Sequence, residues 1–238
     1  MSAIPQKIQV LKFVAEQGVV SVQDVEQHLS SSNKSSAIRV TMYQLGISHM
    51  KFPNVLNGVW YINNPKLYKL LKIYFPECPS FNIRPIVSYQ DILHYLELNR
   101  IRNTLQNSKQ IIIDEWWSEH CIRALPVSSR GCFSRKKIPD VIFWRKREDG
   151  TRQQFFLEYE RNLKDEKCYE NAFQFYARNS HVKRRNVIYI CQDHMIREQL
   201  AFIENRMAMR GKLDNIGLYF QFVTLEGFYK TYKIEGGG

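Results

Sequence analysis

Residues 138–161 read IPDVIFWRKREDGTRQQFFLEYER, and their alternation decides the fold. The β-prone run Ile138 to Arg145, a turn at Asp149-Gly150 and a second run Gln153 to Glu160 predict two strands joined tightly. Residues two apart on a strand point to one side, so Glu158 and Glu160 share a face. Asp140 joins them where the register of the hairpin allows. Phe155 and Leu157 alternate with the acids, and Phe143 with its polar neighbours, which sets the carboxylates at the margin of a packed sheet. Unpaired acids there are costly.

Three carboxylates converging beside a basic surface make a hard-oxygen site for Mg²⁺ or Mn²⁺, which activates water and stabilises charge on a phosphodiester. The plainer reading is an exposed edge hairpin on which Glu160 and Arg161 form a surface ion pair. The wider pattern around the hairpin predicts helix Leu163 to Asn179, strand Asn186 to Cys191, helix Asp193 to Arg210 and strand Gly217 to Leu225. Before it, Ser88 caps a long helix whose apolar face runs from Ile92 through Ile101 to about Leu105, with Glu97 on it. Ile111, Ile112 and Ile113 with Trp116 and Trp117 read as a buried strand or its end, and the tryptophans suit a core or a nucleic-acid contact equally. The fold class is α/β with a mixed sheet.

Towards the amino terminus the periodicity changes. Ile8, Leu11, Val14 and Ala15 lie at helical spacing over about Ile4 to Gln17, and Gly18 stops that helix. Ser21 caps a second helix, Val22 to Leu29, and a third runs over Lys34 to Leu45. Asn57-Gly58 marks a hairpin turn inside Lys51 to Ile62. Three short helices and a hairpin predict a winged helix-turn-helix, whose third helix offers Lys34, Ser35, Ser36, Arg39, Thr41 and Gln44 to the major groove. Lys51 and Asn57 reach phosphates from the wing. Winged helices also dock proteins, and that alternative stands beside the first. His28 and His49 have no partner at metal-ligand spacing.

A helix over Pro65 to Tyr74 is followed by Phe75-Pro76-Glu77-Cys78-Pro79, which interrupts regular structure twice. The expected organisation is therefore a winged-helix domain over 1–74, a linker over 75–87 and a second domain over 88–235. The chain has 238 residues, 44% of them hydrophobic, enough for two small cores. Its 34 Lys and Arg against 23 Asp and Glu give a formal charge of +11, which favours an anionic partner, nucleic acid above all. Five widely spaced cysteines without a CxxC pair fit a reducing compartment, the cytoplasm. No apolar run approaches the roughly 20 residues that span a bilayer.

Pro139-Asp140, the hairpin, Glu158-x-Glu160 and the following helix resemble the PD-(D/E)XK pattern of restriction endonucleases. The chain departs from it at Glu160, where that pattern has Lys, and this leaves the lysine's part to Lys164, Lys167 or neither. A closer similarity is to the replication-relaxation proteins and MobC-type plasmid relaxases. It rests on His94-Tyr95-Leu96-Glu97-Leu98-Asn99-Arg100, Ile138-Pro139-Asp140, Phe156-Leu157-Glu158-Tyr159-Glu160-Arg161, and Lys167 with Tyr176 downstream, and covers about 88–191. The resemblance implies a plasmid protein that nicks DNA at an origin of transfer or replication, alongside other relaxosome or coupling proteins. It also implies a metal held by Asp140, Glu158 and Glu160, with Glu97 either a fourth acidic member or a solvent-facing helix acid.

Two basic clusters flank the hairpin and the next strand: Arg130, Arg135, Lys136 and Lys137, then Lys183, Arg184 and Arg185. Each alone suits a solvated loop, and together they suit a path for a phosphate backbone. Tyr169, Phe173 and Tyr176 lie at helical spacing, a stripe that fits core packing. Tyr176 as a transesterifying nucleophile is the alternative, and it requires an activating environment. A non-catalytic DNA-binding accessory of a mobile element is the rival to the nickase.

Overall fold

The computed structural model describes residues 4–29, 35–76, 88–108, 110–125, 137–178, 185–213 and 218–232. The chain divides into two compact units, Met1–Asn103 with His120–Pro126, and Thr104–Glu119 with Val127–Gly238.

In the first unit α1 (Gln6–Gln17) ends at Gly18, whose φ of 80° is easiest for a residue without Cβ. After the short β1 (Val19–Val20), Ser21 and Asp24 cap α2 (Val22–Leu29) reciprocally. The Asp24 N–H donates to Ser21 Oγ at 3.1 Å, and the Ser21 N–H donates to Asp24 Oδ2 at 2.7 Å. α3 (Ser35–Gln44) follows, then β2 (Ser48–Met50) and β3 (Val59–Tyr61), which close an antiparallel sheet of order β1-β3-β2. Leu11, Phe13, Val14, Val20, Met42 and Trp60 are buried in this unit.

The first strand of this hairpin lies before Lys51 rather than after it. The connection runs from Lys51 to Gly58, with Asn54, Asn57 and Gly58 all at positive φ, so Asn57-Gly58 is its end and not a two-residue turn. α4 (Pro65–Tyr74) begins with proline at its first position, and the Asn64 side chain accepts from the Lys66 N–H.

The long helix α5 (Tyr89–Asn107), expected in the second domain, groups with the first unit as far as Asn103. Its polar face explains why. Asn99 donates to the Val19 carbonyl at 2.8 Å, Asn103 to the Asp24 carbonyl at 3.0 Å, and Arg102 to Glu16 Oε2 at 3.0 Å. Burial alone would raise the Glu16 pKa, but Arg102 and Lys12 pull it below its ordinary value.

The second unit is built on five strands in the order β4-β5-β6-β7-β8. They are β4 (Ile112–Ser118), β5 (Val141–Lys146), β6 (Arg152–Glu160), β7 (Arg185–Cys191) and β8 (Leu218–Thr224). α6 (Glu119–Ala124), which the sequence reading did not anticipate, starts directly after β4 and from His120 on groups with the first unit. α7 (Glu166–Arg178) and α8 (His194–Met209) connect the later strands, and α9 (Leu225–Thr231) follows β8. β4, β5 and β6 pair antiparallel, whereas β6, β7 and β8 pair parallel, so the sheet is mixed and β6 is where the sense changes.

Two expectations change here. β4 is an edge strand with Ile112 exposed, not a buried strand. Of its tryptophans, Trp116 is buried and stacks on Phe143, while Trp117 is half-buried against Trp144. β5 starts at Val141, so Pro139-Asp140 immediately precede the strand instead of lying on it.

Candidate functional site

The β5–β6 register pairs Val141 with Leu157, and one further step brings Asp140 opposite Glu158. Directly opposed residues project to the same face, as do Glu158 and Glu160, so the three carboxylates gather at one end of β6. Asp140 is fixed there by the backbone. Its Oδ2 accepts the Tyr159 N–H at 2.8 Å, and its carbonyl accepts the Glu119 N–H at 2.6 Å.

Glu158 and Glu160 are 2% and 3% exposed. Two lysines meet them: Lys137 Nζ is 2.7 Å from Glu158 Oε1, and Lys164 Nζ is 2.9 Å from Glu160 Oε1. Tyrosines of α7 supply further donors, Tyr176 to Glu158 and Tyr169 to Glu160. The parallel register places Tyr189 of β7 beside Glu158. Among the described residues the buried Tyr189 hydroxyl has no hydrogen-bond partner, and the charges of Glu158, Glu160 and Asp140 all act on it.

Burial dominates the electrostatics. It pushes Glu158 up to about 7 against the pull of Lys137, with Asp140 adding to the rise. Glu160 is raised by the same cause, opposed by Lys164. Burial would lower both lysines, yet the carboxylates prevail: Glu158 and Asp140 hold Lys137 above its ordinary value, and Glu160 does so for Lys164. Three carboxylates facing two ammonium groups leave one negative charge in excess when all are ionised.

Lys137 was expected on a phosphate path, and the structure puts its ammonium inside the acid cluster instead. The basic run that precedes it masked this, because a lysine ending such a run reads as solvated. Tyr189 was also missed. A tyrosine in the apolar run Val187 to Cys191, in parallel register with an acid, was the signal available.

Tyr176 is fully buried, donates to Glu158, and has its pKa driven far up by that burial and by the glutamate charge. This is the environment of a fixed donor, opposite to the activation a tyrosyl nucleophile needs. Lys164 precedes α7 with its ammonium on Glu160, whereas Lys167 stands exposed on the first turn of α7. Glu97 lies on α5 in the first unit, 3.4 Å from Arg100. Arg161 is half-buried after β6.

Of the proposed groove contacts, Ser36, Arg39, Gln44 and Lys51 are exposed. Arg39 Nη1 donates to Asn57 Oδ1 at 3.2 Å, joining α3 to the β2–β3 connection. Lys34, Arg130, Arg135, Lys136, Lys183 and Arg184 lie outside the described residues, and Arg185 is described only as part of the β7 backbone.

Carboxylate oxygens suit a hard dication, and a buried hydroxyl without a partner beside them is a further oxygen donor. Among the described residues, however, no group of three or more His, Cys, Asp or Glu side chains is arranged to hold a metal ion. The lysines engage both glutamates in this arrangement. Among the described residues no helix is long and apolar enough to cross a membrane. No family model, no curated protein and no solved structure matches the chain.

Proposed function

We propose that the chain is a site-specific, metal-dependent DNA nickase of the replication-relaxation or MobC type, acting at a plasmid origin. The observation that carries this reading is the burial of Glu158 and Glu160 beside Asp140, with Lys137 and Lys164 on the two glutamates. Burying so many charges costs several kcal/mol, about that much per ion, and a fold that needed only stability would use apolar residues. The antiparallel β4-β5-β6 meander, then α7 and the parallel β7, supports a PD-(D/E)XK-like domain. Three helices with the β1-β3-β2 sheet support a winged helix in the first unit.

A bound Mg²⁺ or Mn²⁺ would supply Lewis acidity and make a bound water more acidic. Asp140, Glu158 and Glu160 are the residues that would hold it, and Tyr189 would offer the extra oxygen. For that, Lys164, the more exposed of the two lysines, would release Glu160. The Glu158 carboxylate would take the proton of the attacking water. Tyr176 keeps the Glu158 carboxylate oriented, and Lys164, the more exposed lysine, steadies charge on the phosphate.

The second reading, a non-catalytic DNA-binding accessory, is favoured by one observation: the lysines already neutralise most of the cluster's charge. Incubating the chain with supercoiled origin-bearing plasmid in Mg²⁺, Mn²⁺ or EDTA, then mapping the ends after protease treatment, separates them. The nickase gives metal-dependent open circles; the accessory retards plasmid in a gel and leaves it intact.

A further inference from the structure

Residues 27–76 contain no Asp or Glu, yet they carry Lys34, Arg39, Lys51, Lys66, Lys69 and Lys72. These six account for more than half of the chain's formal charge of +11. Half of them stand on α4, whose Leu67 and Leu71 are buried while Lys66, Lys69 and Lys72 are all exposed. At 3.6 residues per turn the three lysines fall within about a third of the helix circumference and extend about 9 Å along its axis. Ile73, 75% exposed, lies among them.

A face kept only for solvation mixes signs, as other helices of this chain do: Lys12 pairs with Glu16 on α1, Arg100 with Glu97 on α5, and Lys230 with Glu226 on α9. Among the described residues, none of the three α4 lysines has an ion pair. The arrangement also works against the helix itself. Lysines three apart repel one another, and Lys66 stands in the first turn, at the positive end of the helix dipole, where an acid would be the stabilising choice. An anionic partner reverses both penalties.

The chemistry of that partner follows from what the fold leaves outside. The apolar side of α4 is used up inside the first unit, where the helix packs on α1, so the face open to a partner offers ammonium groups and one isoleucine. This suits a polyanion whose charges are spaced along a surface. Only three residues separate β3 from α4, and the exposed Arg39 and Lys51 belong to the same unit.

We propose that Lys66, Lys69 and Lys72 of α4 hold the phosphate backbone of duplex DNA, in addition to the groove contacts of α3. The proposal rests on the reading of the chain as a DNA-binding protein and holds for nickase and accessory alike. Contacts of this kind bind every sequence and set position, leaving the choice of bases to other groups.

Fluorescence anisotropy of the full chain on a labelled mixed-sequence duplex, over a salt series, tests it. The triple variant Lys66→Gln, Lys69→Gln and Lys72→Gln keeps helix propensity, and its exposed positions leave the core intact. Its log-log salt slope is expected to fall by about 0.9 for each lysine on a phosphate, with an unchanged circular dichroism spectrum. A control with the same loss of charge at exposed positions of the second unit, Lys146→Gln, Lys212→Gln and Lys230→Gln, is expected to keep the parental slope. Lysine acetylation read by mass spectrometry is expected to find Lys66, Lys69 and Lys72 protected by the duplex. A parent that binds duplex with a slope the α4 variant leaves unchanged, or that the control flattens as much, overturns the proposal and leaves the DNA-binding reading standing. A parent that binds no duplex overturns both, and its co-sedimentation with phosphatidylglycerol vesicles would give the face to a lipid surface.

Discussion

Lys137 Nζ lies 2.7 Å from Glu158 Oε1, on a carboxylate that is almost wholly removed from water. A lysine in that position is committed to the acid and is not available to neutralise a phosphate. Lys137→Met should therefore leave the salt dependence of DNA affinity unchanged, where loss of a true phosphate contact lowers the log-log slope by about 0.9. The same variant removes the strongest pull keeping Glu158 ionised, so the Glu158 titration should move above its parental midpoint. Fluorescence anisotropy over a salt series and carbon NMR of the glutamate carboxyls read the two effects. A flattened slope with an unmoved Glu158 returns Lys137 to the DNA path.

The raised Glu158 pKa makes stability depend on pH with a definite sign. A folded-state value near 7 against an unfolded value of 4.5 means that the native protein binds the proton more tightly between those pH values. Stability contributed by this site is greatest below pH 4.5, falls as pH rises to 7, and is flat beyond. The shift corresponds to about 3 kcal/mol as an upper bound, since the pair with Lys137 shares it. Glu158→Gln abolishes the titration. Denaturant unfolding of parent and variant should give a difference that declines with pH across that window; a difference that rises would mean the carboxylate is stabilised as an anion.

If the acids are the reacting centre, recognition and cutting separate. Asp140→Asn and Glu158→Gln should bind origin DNA like the parent and convert supercoiled plasmid at least about a hundredfold more slowly, since each 1.36 kcal/mol of lost barrier reduction is tenfold in rate. Glu160→Lys restores the commoner pattern of the resembling endonucleases, and here it would set Lys164 against a second ammonium. It should abolish nicking. Parental rates in all three variants, or nicking that persists in EDTA, give the site to the accessory reading.

The buried pair of Arg102 and Glu16 bears on where the first unit can be cut. A fragment ending at residue 74 keeps Glu16 and loses Arg102, together with the Asn99 and Asn103 bonds to Val19 and Asp24. Removing one partner of a buried ion pair costs about 3–5 kcal/mol. Thermal melts should find fragment 1–74 far less stable than fragment 1–108, and Arg102→Ala should lower the stability of the longer fragment by much of that difference.

Local chemistry was legible where one residue type settles the backbone. Ser21 and Pro65 marked the starts of α2 and α4, because a side-chain cap and a fixed φ act within a few residues. The shared face of Glu158 and Glu160 followed from the two-residue period of a strand. What failed depends on partners distant in sequence. Asn99, Arg102 and Asn103 lay outside the apolar face read for that helix, and their partners are in β1, α1 and α2. Lys137 lies 21 positions before Glu158, outside the reach of any local pattern. The β2–β3 connection was misplaced because three-residue strands carry too little periodicity to outvote one Asn-Gly pair.

The hydrogen bond from the Tyr159 N–H to Asp140 falls on the peptide between the two glutamates. A one-residue slip of β5 along β6 would exchange every inward side chain for an outward one. Asp140 would then lose that amide and face Tyr159 in place of Glu158. A misregistered sheet would thus separate Glu158 from Asp140 and displace Lys137, the charges that act on its buried carboxyl, and its titration midpoint would differ from the native one. A routine proton titration of a freshly refolded sample becomes an assay of folding fidelity, countable without DNA, metal or any knowledge of the reaction.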